Sequence, residues 1–236
     1  DGFGMNGYTS EELDEFRRKG CKYDSVRGIY LPFPGISVVC DVPGSGEGSL
    51  ARLPELLRTQ PLLNHLFLPL PADSYHVTTL DIICKYKPQH EDAAWEALLL
   101  EPQWAVAADK LAAADLRPKL RLKKVHTLNR GALVAELEPV DDSTPAHPAE
   151  LPLNAELVET LGLASNQRHP WHMTIAYCSK KEELDEQSPT YEAERSALET
   201  LVRAALGPDG EVPLDCAKLC RFPDMSAFIP WDGRGS

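Results

Sequence analysis

The chain has 236 residues, 43% of them hydrophobic and 25% charged, enough apolar material for a core in one large domain or two small lobes. Its 24 lysines and arginines stand against 36 aspartates and glutamates, a formal net charge of −12. That balance excludes a general coat for DNA or RNA, whose affinity comes from neutralising many phosphates with basic side chains. A short or mononucleotide ligand, which needs only a local site, is compatible with it. The 6 cysteines are scattered, several inside apolar runs such as DIICKY around Cys84, as expected of reduced thiols. No apolar stretch is long enough to span a bilayer, and the opening DGFGMNGY holds no secretory apolar region. The expected compartment is the cytoplasm, unless a targeting segment preceded Asp1.

In chain order, YTSEELDEFRRKG reads as a short helix, capped by Thr9 or Ser10 and stopped at Gly20. GIYLPFPGISVVCDV gives two extended pieces, the second a buried strand over Ile36–Val42. GSGEGSL is a loop without the lysine or the preceding strand of a phosphate loop. The run from Leu50 to Leu68 is helical, cut by Pro54 and Pro61, and strand YHVTTLDIICKY follows. HEDAAWEALLL and PQWAVAADKLAAADL are two alanine- and leucine-rich helices. KLRLKKVHTL and GALVAELEP form a hairpin around Asn129-Arg130-Gly131. DDSTPAHPAELP is the expected join between two halves, AELVETLGL a helix, and WHMTIAYC a strand. The helix SPTYEAERSALETLVRAALG is capped by Ser188, opened by Pro189 and stopped by Gly207, and VPLDCAKLCRF with MSAFIPW closes the chain as a hairpin. Hairpins mixed with helices predict an α+β fold rather than a doubly wound parallel sheet.

Two strands carry chemistry. Side chains two apart in a strand share a face. His76 and Thr78 therefore project together, backed by Tyr75, Val77 and Thr79, and His172 and Thr174 do the same, backed by Trp171, Met173 and Ile175. Tyr177 falls on the core face by the same alternation. Two imidazoles and two hydroxyls around one cavity suit phosphodiester cleavage without a metal. One neutral imidazole takes a proton from the attacking oxygen and a protonated one supplies the leaving oxygen, each contributing about 10²–10⁴-fold in rate. The hydroxyls can hydrogen-bond the non-bridging oxygens. A single His-x-Thr means little in a chain with 7 histidines, but two of them, each in a β-branched strand and 96 residues apart, form a pattern that His65, His90, His126, His147 and His169 lack.

On those two motifs, YHVTTL and WHMTIA, the sequence resembles the two-histidine (2H) phosphoesterase superfamily, whose hallmark is one His-x-Thr or His-x-Ser motif from each half of a pseudo-symmetric domain. In organisation the resemblance runs from about Gly28 to Trp231. It implies a bilobal α+β fold, with two antiparallel sheets facing a central cleft and helices outside. The single phosphoesterase domain would span 30–236 with its lobe join near 139–150, after an N-terminal extension, 1–29, able to cover or narrow the cleft. It also implies hydrolysis of a small cyclic phosphate or a 2′-5′ linked nucleotide, with His76, Thr78, His172 and Thr174 catalytic and no cofactor or metal. The expected partner is a small nucleotide or short oligonucleotide, with no long duplex and no membrane, and the expected state is a monomer.

Other readings stay open. His169 and His172, with Cys178 or His126, could begin a zinc set, but Pro170 prevents a continuous helix through the pair and neither HExxH nor CxxC accompanies it. Cys216 and Cys220, four apart in an expected strand, read as core thiols. The same fold could bind a nucleotide without turnover. Arg168 is a candidate phosphate contact, and Tyr30, Phe33 and Phe222 are aromatic residues near strand ends where a base could stack.

Overall fold

The computed structural model describes residues 8–19, 22–24, 26–43, 50–86, 90–163 and 169–234. Helix α1 (Ser10–Lys19) opens on a capping box. The Thr9 hydroxyl accepts from the Glu12 backbone N–H at 3.2 Å, and the Glu12 carboxylate accepts from the Thr9 N–H at 2.8 Å. Strands β1 (Tyr23–Asp24) and β2 (Ile29–Tyr30) then form a small antiparallel ribbon of their own. Strand β3 (Gly35–Asp41) is buried along nearly its whole length. Pro54 and Pro61 do not interrupt a helix but sit in the first turns of α2 (Leu53–Arg58) and α3 (Pro61–Leu66), where a missing N–H costs nothing.

The remaining elements are β4 (Phe67–Pro69), β5 (His76–Cys84), α4 (Asp92–Leu99), α5 (Gln103–Ala114), β6 (Leu120–Leu128), β7 (Ala132–Pro139), α6 (Pro152–Thr160), β8 (His172–Cys178), α7 (Pro189–Leu206), β9 (Lys218–Asp224) and β10 (Ala227–Pro230). Asn129 and Arg130 take positive φ (51° and 53°) at the tip of the expected β6–β7 hairpin. Helix α7 begins at Pro189 and ends at Gly207 (φ +87°), but Ser188, although at the N-cap, makes no side-chain capping bond. Cys216 lies before β9 and is partly exposed, not a core thiol, whereas Cys220 is buried within β9.

The larger sheet is antiparallel throughout, in the order β10-β9-β3-β5-β8-β7-β6, with β4 pairing beside β5 on the same edge of β8. The two lobes are the two halves of this eight-stranded sheet, so their sheets meet edge to edge at β5 and β8, through the single pair Val77↔Met173. The C-terminal hairpin β9–β10 returns to the first lobe beside β3. Helices α3 and α7 pack together, α7 also covers β6, and α5 lies against α6 and β9. Trp104, Trp171, Tyr75, Phe33 and Phe67 are the largest side chains in the core. Among the described residues no helix is long and apolar enough to cross a membrane.

Candidate active site

The antiparallel register through Val77↔Met173 sets His76 beside Thr174 and Thr78 beside His172, so each imidazole neighbours the other strand's hydroxyl. All four side chains line one cleft of about 200 Å³. Neither threonine hydroxyl has a hydrogen-bond partner among the described residues, which leaves both donors for a ligand.

Both strands change face just beyond their motif. On β5 the pairing with β3 passes from Val39↔Thr78 to Val38↔Leu80, which makes Thr79 an extra, bulged residue. On β8 the pairing with β7 passes from Val134↔Thr174 to Leu133↔Ala176, which makes Ile175 the bulge. The two strands share the burial sequence half-buried, buried, half-buried, buried, buried from the histidine onward. A bulge inverts the alternation that follows it. The fifth residue after each histidine, Asp81 in one lobe and Tyr177 in the other, therefore returns to the cleft. A second bulge between Asp81 and Ile83 does the same for Cys84. Tyr177 is thus a cleft residue, not the core residue that simple alternation predicts. The doubled buried positions Thr79-Leu80 and Ile175-Ala176, each followed by a polar group, mark the change of face.

The two imidazoles are oriented alike. Nδ1 of His76 lies 2.6 Å from the Ser74 carbonyl, and Nδ1 of His172 lies 2.9 Å from the Pro170 carbonyl, each two residues upstream. A carbonyl can only accept, so each Nδ1 carries its proton, and in the neutral ring Nε2 is left as the basic atom. Neither Nε2 has a protein partner among the described residues. The His76 ring packs on Phe228, centroids 3.8 Å apart. Burial pushes its pKa from 6.5 down to about 4, against the upward pull of the Ser74 carbonyl and of the Asp41 and Asp81 charges. His172 is lowered as well, first by burial and further by His169, whose ring meets it edge-on at 5.4 Å.

One wall of the cleft is aromatic: Phe228 stacks on Phe222 at 4.9 Å, with Phe33 and Tyr177 nearby. Gly35 makes that wall possible, since a Cβ there would lie 2.1 Å from the Phe222 ring. Phe33 and Phe222 therefore both reach the cleft, while Tyr30 is turned away and donates to the Pro69 carbonyl at 3.0 Å. Lys22, from the N-terminal extension, also lines the cleft, although nothing in its local sequence marks it. Arg168 lies outside the described residues. His169 is described, with Nε2 3.8 Å from the Asp81 carboxylate. Among the described residues no group of three or more histidine, cysteine, aspartate or glutamate side chains is placed to hold a metal ion.

Residues 22–131 match the family model 2H-phosphodiest, described as a domain of unknown function (DUF1868); the first motif lies inside that stretch and the second beyond it. No curated protein sequence matches. Among solved structures, the conserved protein of unknown function ATU0111 from Agrobacterium tumefaciens str. C58 shares the fold, with TM-score 0.61 and 18% identity over 94% of this chain and 98% of that one. Usb1 from Kluyveromyces marxianus is matched over 85% of this chain and 98% of that one, but at TM-score 0.36 and 12% identity, too low to carry an argument. With the family model over the first motif, a shared fold along nearly the whole chain and both His-x-Thr pairs in one cleft, the chain is similar to the two-histidine phosphoesterases.

Proposed function

We propose that the protein is a metal-independent phosphodiesterase that hydrolyses a small cyclic phosphate or a 2′-5′ linked nucleotide by two-histidine general acid–base catalysis. The observation that carries this reading is the matched pair of imidazoles, each with Nδ1 held by a backbone carbonyl and Nε2 unpartnered in a cleft shared with both threonines. His76 is the base, because burial keeps it neutral down to about pH 4. His172, across the cleft, is the acid.

In the reaction His76 Nε2 removes a proton from water as its oxygen bonds to phosphorus. The bond from phosphorus to the leaving oxygen breaks, and that oxygen takes the proton from His172 Nε2. Thr78 and Thr174 donate to the non-bridging oxygens, where charge builds in the transition state. The aromatic wall of Phe222 and Phe228 offers a surface on which a base can stack.

The test is a panel of 2′,3′-cyclic nucleotides, ADP-ribose 1″,2″-cyclic phosphate and 2′-5′ oligoadenylate, assayed with the wild type, His76→Ala and His172→Ala. Turnover of at least one substrate, unaffected by EDTA and reduced about 10²–10⁴-fold in each variant, is expected. Wild-type turnover in both histidine variants would overturn the reading, and EDTA-sensitive turnover would point to a metal.

A further inference from the structure

A phosphodiester brings a full negative charge into a chain that already carries −12. The threonine hydroxyls donate to such a group without balancing its charge, a neutral imidazole presents only its basic Nε2, and the acid imidazole gives up its charge with its proton. Among the described residues that line the cleft, Lys22 is the only lysine or arginine and Asp81 the only carboxylate. The Lys22 ammonium lies 5.2 Å from the Tyr177 ring centroid and 5.4 Å from that of Phe33. Aromatic faces hold a cation without neutralising it. No ion pair to a carboxylate forms at this ammonium among the described residues, unlike Lys218, which is paired with Asp41 at 2.5 Å. Burial, the largest influence on Lys22, works against its charge, but Tyr177, Cys84 and Asp81 together outweigh it and hold the pKa above the ordinary value.

The position is anchored rather than incidental. The Lys22 carbonyl accepts from the Leu31 N–H at 3.1 Å, and the next residue begins β1. The Tyr23 hydroxyl donates to the Cys178 carbonyl at the end of β8, and its ring stacks on Tyr177 at 6.0 Å and 25°. The extension is thus fastened to the strand that carries His172. Lys22 also borders a neighbouring groove of about 860 Å³, walled by α1 and β1 on one side and the β6–β7 turn on the other, so the ammonium stands at the junction of the two spaces.

We infer that Lys22 is the phosphate-binding cation of this site, and that the N-terminal extension is part of the active site rather than an appendage to it. This rests on the phosphodiesterase reading for its substrate but not for its test. Inorganic phosphate is titrated into the wild type, Lys22→Met and Lys22→Arg, and followed by the NMR signals of His76 and His172. In parallel, kcat and KM are measured on a 2′,3′-cyclic nucleotide. Removing one charged hydrogen bond is expected to weaken phosphate binding roughly 10- to 100-fold in Lys22→Met, with Lys22→Arg recovering most of it. Methionine keeps the apolar stem between the two rings, and an unchanged melting temperature excludes a folding defect; should it melt early, Lys22→Gln replaces it. Phosphate affinity within twofold of wild type in a folded Lys22 variant overturns the inference, even if the histidine variants are inactive. Conversely, a wild type that cleaves no diester but loses phosphate in Lys22→Met keeps the cation site and sinks the phosphodiesterase reading.

Discussion

Asn154 ties stability to the shape of the active site. It is completely buried in α6, and its Nδ2 donates to two carbonyls, Thr79 at 2.7 Å and Pro148 at 2.8 Å. Thr79 is the bulged residue of β5, and a bulged residue is left out of the strand ladder, so its carbonyl needs another donor. Asn154→Ala leaves two buried acceptors unpaired, at about 1–3 kcal/mol each. The wild type already bears one unpartnered buried atom, Oδ1 of the same side chain, and losing it returns part of that cost. The expected net loss is roughly 2–4 kcal/mol, or about 4–15 °C in Tm for a domain of this size. Asn154→Asp should lose more, because a carboxylate would face the same two carbonyls with nothing to donate. The bulge also turns Asp81 into the cleft, so backbone amides from Val77 to Asp81 should exchange faster and turnover should fall further than Tm alone accounts for. Calorimetry and hydrogen exchange on the two variants, with half-buried Thr160→Ala in the same helix as control, supply the measurement. A Tm within about 1 °C of wild type in both variants, on a scale of 2–4 °C per kcal/mol, would refute the link between Asn154 and the bulge.

With both imidazoles below their ordinary pKa, kcat/KM should trace a bell whose optimum lies below pH 6.5. Acid removes the base as His76 protonates near 4, and alkali removes the acid as His172 loses its proton. A rate still climbing above pH 8 would contradict the acid and base assignments. The same depression lowers stability in acid, since the unfolded chain protonates His76 at about 6.5 and the folded chain resists until about 4. Chemical denaturation should therefore show stability falling between those values, less steeply in His76→Phe. Gly35→Ala should cost about 1–3 kcal/mol and disturb the aromatic wall, because the new methyl would strike the Phe222 ring and the Ile83 carbonyl. Unaltered Phe222 and Phe228 side-chain NMR shifts in that variant would argue against the packing described.

What could be read from the chain alone were features whose cause is local. The cap at Thr9, one of the two residues expected there, the Asn129-Arg130-Gly131 turn and the two His-x-Thr strands each depend on residues within a few positions of one another. Strand alternation then placed His76 with Thr78 and His172 with Thr174, and the cleft contains all four. Alternation failed one step later, at Tyr177, because a bulge belongs to a pair of strands and is registered only against β7. The Asn154 clamp on Thr79 spans 75 positions, and Lys22 meets the ring of Tyr177 only because β1 is fastened to the end of β8. The edge-to-edge meeting of the lobes at Val77 and Met173 is likewise long-range. Local propensity decides which backbone shape a segment takes; which distant side chains share a cavity is decided by how those segments bury their apolar faces against one another.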